Sequence, residues 1–361
     1  MPLVSFISLT LLNLSMLSEK QIEEIRSFLD KSERPLFFYD NDPDGLCSYL
    51  LMRKKYDKGY GIVLKTGPVL DASFLRKVDE YYPDLIVVLD KATIDQTFLD
   101  AVNVPVVWID HHPLVSRKGV HYYNSRQDNG DGLVPTTYLV YQVTGGPMWL
   151  AGLGCISDAY IPPFYNELKK EYPDLFPKKD TISEISTKSK FGDLIKTIYF
   201  ILKGKTSETR ASINTFSRIE NPYEIINNTT SQGSYITRKA AKYLKEYKEL
   251  LERAKKEKPK ERIFLFLYNV KNTSFTSELA TDLCHMYPNK IIIVGRIKDE
   301  LVKMSIRSET LTISDIVEKS LVNVKGYGGG HAYACGGCIA LDDFNRFMDN
   351  FTNILNEKNP K

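Results

Sequence analysis

Three short apolar runs, residues 36–39, 85–89 and 104–109, each end on an aspartate: Asp40, Asp90 and Asp110. Runs this short, rich in aromatic and β-branched residues, read as strands, and with no alternating polar residues they need cover on both faces. That points to a largely parallel sheet between helices. The intervening segments fit. Residues 45–55, 72–82, 136–143 and 148–156 read as helices and 61–64 as a short strand. In open sheets of this kind ligands bind beyond the carboxyl ends of the strands, so the three aspartates should converge on one crevice. A single strand-end aspartate is commonly only a helix N-cap. Three of them, the last followed by His111 and His112, ask for more.

The chain has 361 residues, ample for two domains. The expected fold is α/β, with a largely parallel, helix-covered catalytic sheet joined by a long helix to a smaller α/β domain. Five segments follow: an N-terminal extension and helix (1–34), the catalytic domain (35–160), a basic insertion or cap (161–234), a connecting helix (235–260) and the smaller domain (261–361). The connecting helix rests on the spacing of Ile236, Ala240, Tyr243, Tyr247, Leu250 and Ala254. In the insertion only residues 191–202 read as a helix. The smaller domain reads as strand 263–270, helix 274–286, strands 290–296 and 301–307, helix 313–320, a glycine-rich turn at 326–330, strand 335–340 and a helix from Asp342.

The first 17 residues carry no charged side chain, yet they lack the basic start of a signal peptide and are too short for a membrane span. They read as a dispensable extension, with Met16 an alternative start and Ser18 and Gln21 a capping box. Five cysteines, an odd number, argue against a disulfide framework and for a reducing, cytoplasmic setting. Cys335 and Cys338 read as small apolar residues rather than half a zinc site. Net charge is +3, but residues 164–262 hold 22 Lys and Arg against 14 Asp and Glu, leaving the remainder acidic. The basic stretch suits either a phosphate-attracting surface or an ordinary solvated face. Its Tyr165, Tyr172, Tyr199 and Phe200 read as base-stacking groups or as core.

After the first strand comes Asp40-Asn41-Asp42-Pro43-Asp44-Gly45. Carboxylates alternating in so short a loop repel unless a cation lies between them, although such loops also serve as plain turns. Asp110-His111-His112 adds imidazoles to the carboxylates, a donor set for manganese or a similar ion rather than structural zinc.

In order, Asp40-x-Asp42-x-Asp44-Gly45, Asp90, Asp110-His111-His112 and Asp158 resemble the four motifs of DHH phosphoesterases. Ser305-Ile306-Arg307-Ser308 and Gly328-Gly329-Gly330-His331 resemble the family's associated substrate-binding domain. The Asp-x-Asp-x-Asp-Gly form resembles the RecJ exonuclease branch. The resemblance implies two divalent ions, manganese with magnesium as the alternative. Asp42 and Asp90, with Asp40 nearby, would hold one ion, and Asp44, Asp90, His111 and Asp158 the other. His112 would face the scissile phosphate, with Asp110 orienting the histidines. Arg307, Ser308, Gly328, Gly329, Gly330 and His331 would bind substrate, although the glycine-rich stretch reads equally as a structural hairpin. The implied partner is single-stranded nucleic acid, or a short oligonucleotide or nucleotide, and no membrane. Too little chain follows Ala340 for the oligonucleotide-binding barrel of bacterial RecJ, an archaeal-like layout. Other branches cleave very short RNA, 3′-phosphoadenosine 5′-phosphate or cyclic dinucleotides, and some descendants are inactive scaffolds at replication forks. The pyrophosphatase branch lacks the Gly-Gly-Gly-His pattern and is set aside.

Overall fold

The three aspartate-ended runs are buried on both faces, as their composition demands. In the computed structural model, which describes residues 16–65, 67, 69–127, 134–269 and 273–358, the chain divides into two units. One comprises residues up to 202 with 210–237, the other 203–209 with 238 onwards.

The first unit opens with α1 (Glu19–Lys31), whose start carries the expected capping box: Ser18 Oγ accepts from Gln21 N–H, and the Gln21 side chain returns to Ser18 N–H. Then come β1 (Pro35–Asp40), α2 (Pro43–Tyr56), β2 (Tyr60–Leu64), β3 (Val69–Leu70), α3 (Leu75–Tyr81), β4 (Leu85–Leu89), β5 (Thr93–Ile94), α4 (Gln96–Ala101), β6 (Val106–Asp110) and β7 (His121–Asn124). The main sheet has the order β2-β1-β4-β6-β7 and every neighbouring pair is parallel. β1 connects outward to β2 while β4, β6 and β7 extend the other way, so chain direction across the sheet reverses between β1 and β4. That is where a parallel sheet opens a crevice.

One face is filled by Leu36, Phe38, Ile86, Val88, Val106 and Trp108. Helices α5 (Thr136–Thr144) and α6 (Met148–Ser157) pack with α2. α2 is buried continuously from Pro43 to Met52.

The weakly patterned stretch after Asp158 is helical: α7 (Tyr165–Glu171), α8 (Ile182–Lys188), α9 (Lys190–Ile201), α10 (Thr206–Phe216) and α11 (Tyr223–Ile226). Only α9 is legible by period. α7, α8 and α11 are too short to show one, and α8 and α9 begin at the side-chain caps Thr181 and Ser189. Tyr165, Tyr172 and Phe200 lie in the core. α12 (Ser231–Ala254) runs from one unit into the other.

The second unit holds β8 (Ile263–Asn269), α13 (Thr276–Met286), β9 (Ile291–Lys298), β10 (Leu301–Arg307), α14 (Ser314–Lys319), β11 (Gly326–His331), β12 (Ala334–Ala340) and α15 (Phe344–Lys358). Its sheet, β11-β12-β10-β9-β8, is antiparallel except for the β8–β9 pair. Contrary to the sequence reading, residues 326–330 form an extended edge strand rather than a turn. Glycines face glycines there, with Gly328 opposite Gly337 and Gly329 opposite Gly336, and glycine is needed at Gly326 and Gly330, where a Cβ would lie 2.4 Å and 2.5 Å from the Cys338 and Ala334 carbonyl oxygens of β12.

Candidate metal centre

The loop after β1 doubles back on itself. Asp42 is the N-cap of α2, its Oδ1 accepting from Gly45 N–H at 2.9 Å, and Pro43 sits in the first turn, where its missing N–H costs nothing. Gly45 is needed for close approach: a Cβ there would lie 2.6 Å from the Asp40 carbonyl oxygen. This contact carries Asp44 inward, and it is fully buried. Its carboxylate accepts from Thr136 N–H (3.0 Å) and Thr137 N–H (2.7 Å), at the positive end of α5. Asp90 leaves β4 with a left-handed φ of 54°, a conformation that costs energy and persists where the surroundings impose it. Asp158 caps the C-terminus of the apolar helix α6.

These elements converge at His111. Its Nε2 lies 3.3 Å from Asp90 Oδ1, 3.4 Å from Asp158 Oδ2 and 3.7 Å from Asp44 Oδ2. Asp40, Asp42 and Asp90 form an adjoining group with carboxylate oxygens within 4.8 Å of one another, so Asp90 belongs to both. All six aspartate and histidine positions singled out as ligands are therefore brought together. Burial pushes the carboxyls of Asp42 and Asp90 up, and neighbouring carboxylates push further: Asp40 and Asp44 on Asp42, then Asp44, Asp42, Asp158 and Asp40 on Asp90. Such crowding is relieved by a cation. Ligand atoms about 2.1 Å from a small divalent ion stand about 3 Å apart in an octahedron, close to the spacing around His111 Nε2. The donors thus fit a divalent metal.

Beside this centre, Asp110 is fully buried and holds His112: Oδ1 meets the imidazole Nδ1 at 2.7 Å, and Oδ2 accepts from the His112 backbone N–H at 3.1 Å. Burial pulls the His112 pKa down, but the Asp110 charge and hydrogen bond, followed by Asp40 and Asp42, outweigh it and the net shift is upward. Asn124 Nδ2 bridges Asp110 Oδ2 (3.2 Å) and the His112 carbonyl (3.0 Å), Tyr122 OH donates to Asp110 Oδ2 (3.3 Å), and Arg126 Nε donates to the His111 carbonyl (3.1 Å).

Asn124, Tyr122 and Arg126 went unread because β7 carries too short a pattern to announce itself. Thr136 and Thr137 read only as the start of a helix. Lys91, immediately after Asp90, could have been noticed as a cation in a carboxylate site. It is 2% exposed, and its Nζ donates to Asp40 Oδ1 (2.8 Å) and the Gly67 carbonyl (2.7 Å).

The remaining candidates gather in the second unit, where Arg307 and His331 both stand opposite Ala334 of β12. The Arg307 guanidinium is anchored, Nη1 to the Ile306 and Cys335 carbonyls and Nη2 to Ser277 Oγ. Ser308 is buried and its Oγ accepts from Thr310 and Leu311 N–H, so it shapes the turn after β10. Gly328, Gly329 and Gly330 lie along the edge strand, and a Cβ at Gly329 would meet nothing within 4 Å. All five cysteines are free thiols, Cys335 buried and Cys338 half-buried, in line with an apolar role.

Residues 263–357 match the DHHA1 domain. No curated protein sequence matches the chain. Among solved structures it is similar to RecJ from Thermus thermophilus in complex with Mn2+, with a TM-score of 0.58 at 13% identity, covering 94% of this chain and 54% of that one. It thus spans about half the length of that protein. It is also similar to exonuclease RecJ bound to manganese (TM-score 0.53, 14% identity, 94% and 93% covered). A third likeness is to the DHH domain of a member of a ribosomal protein family (TM-score 0.60, 14% identity, 94% and 93% covered). At these identities the likeness is one of fold.

Proposed function

We propose that this chain, a RecJ-like DHH/DHHA1 protein by its fold and its DHHA1 domain, is a metal-dependent phosphoesterase that hydrolyses phosphodiester bonds of single-stranded DNA or RNA as an exonuclease. The observation that carries the reading is the meeting of Asp44, Asp90 and Asp158 on His111 Nε2 from four separate elements. An acidic surface patch has no reason to bury its members or to share a histidine among them.

In this reading Asp44, Asp90, His111 and Asp158 hold one divalent ion, and Asp40, Asp42 and Asp90 a second, manganese or magnesium. Bound there, the ions supply a water deprotonated at neutral pH and positive charge beside the phosphate oxygens. The chain's own groups do the rest. Asp110 accepts from His112 Nδ1–H, which leaves Nε2–H to donate to a phosphate oxygen, and with the other nearby carboxylates it shifts the imidazole towards its charged form. Arg307, His331 and the edge strand at Gly328, Gly329 and Gly330 are assigned to substrate. With Arg307 anchored on carbonyls, its part is a fixed positive charge rather than a free clamp. Ser308 contributes the turn. Among the described residues no helix is long and apolar enough to cross a membrane.

The test is incubation with Mn2+ and end-labelled single-stranded DNA and RNA, long and very short, beside 3′-phosphoadenosine 5′-phosphate and a cyclic dinucleotide. Stepwise mononucleotide release from long strands is expected. Hydrolysis confined to the short or small substrates would replace the exonuclease reading with a nanoRNase or nucleotide phosphatase. Folded, metal-loaded protein that cleaves none of them would replace it with a scaffold.

A further inference from the structure

We infer that Lys91 is a built-in cation of this centre: an ion enters among Asp40, Asp42 and Asp90 only by displacing the Lys91 ammonium from Asp40. The inference rests on the metal-centre reading above and concerns how that centre fills.

An ammonium is removed from water only where partners compensate it. Lys91 is 2% exposed, and its Nζ has two partners: Asp40 Oδ1 at 2.8 Å and the Gly67 carbonyl at 2.7 Å. The backbone from which the side chain departs is pinned. Trp108 Nε1, itself buried, donates to the Lys91 carbonyl at 2.9 Å, and Asp90 just before it holds a left-handed φ of 54°. Lys91 is thus a seated part of the centre rather than a surface side chain that has wandered in.

Its effect on the two donor groups is unequal. Three carboxylates gather around His111 Nε2. In the adjoining group, Asp40 already has a unit positive charge against it, so an arriving ion meets one carboxylate neutralised and a like charge a few ångströms away. Like charges at such separations repel in a partly buried setting, on the order of a ten-fold or greater loss of affinity even after screening. The His111 group should therefore fill first, and the Asp40 group only as the Lys91 ammonium swings off.

The experiment is a Mn2+ titration of the full chain freed of metal, followed by the paramagnetic resonance of free Mn2+ and by calorimetry, with no substrate present. Wild type is expected to take up one ion tightly and a second at least about ten-fold more weakly. In Lys91→Met the second dissociation constant should fall by about ten-fold or more while the first stays put. In Asp40→Asn only the weaker event should be lost or weakened. If Lys91→Met does not fold, Lys91→Gln, which keeps a donor for the Gly67 carbonyl without the charge, carries the same expectation. Two equal sites in wild type, or a second site indifferent to the charge at position 91, overturn the inference. In that event, loss of one ion in His111→Ala would still leave the metal centre standing. No uptake of Mn2+ by folded wild-type protein overturns both.

Discussion

At the scale of single residues, the centre is a set of carboxylates whose burial makes no sense without a counter-charge. Asp44 and Asp90 are all but inaccessible, and the Asp90 carboxyl is held well above the usual carboxylate range by burial and then by its neighbours. His111→Ala removes a donor to one ion and Asp90→Ala a donor to both, so turnover should fall by more than about a hundred-fold in each, with circular dichroism unchanged. Wild-type rates in either pure variant would sink the ligand assignment. Asp110 acts differently, through His112. Asp110→Asn keeps the size of the side chain but removes the largest of the charges that lift the imidazole, leaving the downward pull of burial opposed only by the weaker effects of Asp40 and Asp42. If charged His112 is the working form, turnover should drop by about ten- to a hundred-fold and the alkaline limb of the pH–rate profile should move to lower pH. A rate that drops with its pH limb in place would assign Asp110 a purely structural part.

At the scale of elements, the three strand-end aspartates were legible because parallel strands buried on both faces announce themselves as unbroken apolar runs, and because chain order alone brings their carboxyl ends to one edge. The connection of Asp44 to α5 was not legible. It depends on two backbone N–H groups, which have no signature in sequence, and Thr136 and Thr137 looked like ordinary helix residues. Lys91 was visible as a letter but not as a direction, since only the left-handed turn at Asp90 and the anchored Lys91 carbonyl determine where its side chain goes. The glycine-rich stretch reads as a turn because glycines mark turns in most chains, whereas here Gly326 and Gly330 allow β11 to pair closely with β12. Gly45 offers a test at this scale. Its missing Cβ is what allows α2 to approach the end of β1, with Asp40 backbone atoms at 2.6 and 2.7 Å from where a methyl would sit. Backbone cannot rotate out of the way as a side chain can. Gly45→Ala should therefore cost at least about 2 kcal/mol of stability and weaken Mn2+ binding as well, because the same shift moves Asp42 and Asp44. An unchanged urea midpoint would show that the loop relaxes freely.

At the scale of the whole molecule, the centre couples metal, protons and folding. The raised carboxyls of Asp42 and Asp90 mean that the native, metal-free chain holds protons that the unfolded chain has released. Between the unfolded carboxyl value, about 3.9, and the raised native values, the native state binds more protons than the unfolded one. Stability from these groups is thus complete below that window and lost as pH rises through it. A divalent ion reverses the slope. It replaces the protons, binds only the deprotonated centre, and so competes with acid. Metal-free protein should accordingly melt at a lower temperature at pH 8 than at pH 6. Added Mn2+ should raise the midpoint more at pH 8 than at pH 6. With the ion at a hundred times its dissociation constant the gain is about 2.7 kcal/mol, several degrees for a chain of this size. His111→Ala, which retains Asp42 and Asp90, should keep the pH dependence of the metal-free chain but lose most of the Mn2+ response. A Mn2+ shift of equal size at both pH values would mean that the ion binds carboxylates already ionised, and the proton-crowded centre described here would not be where it binds.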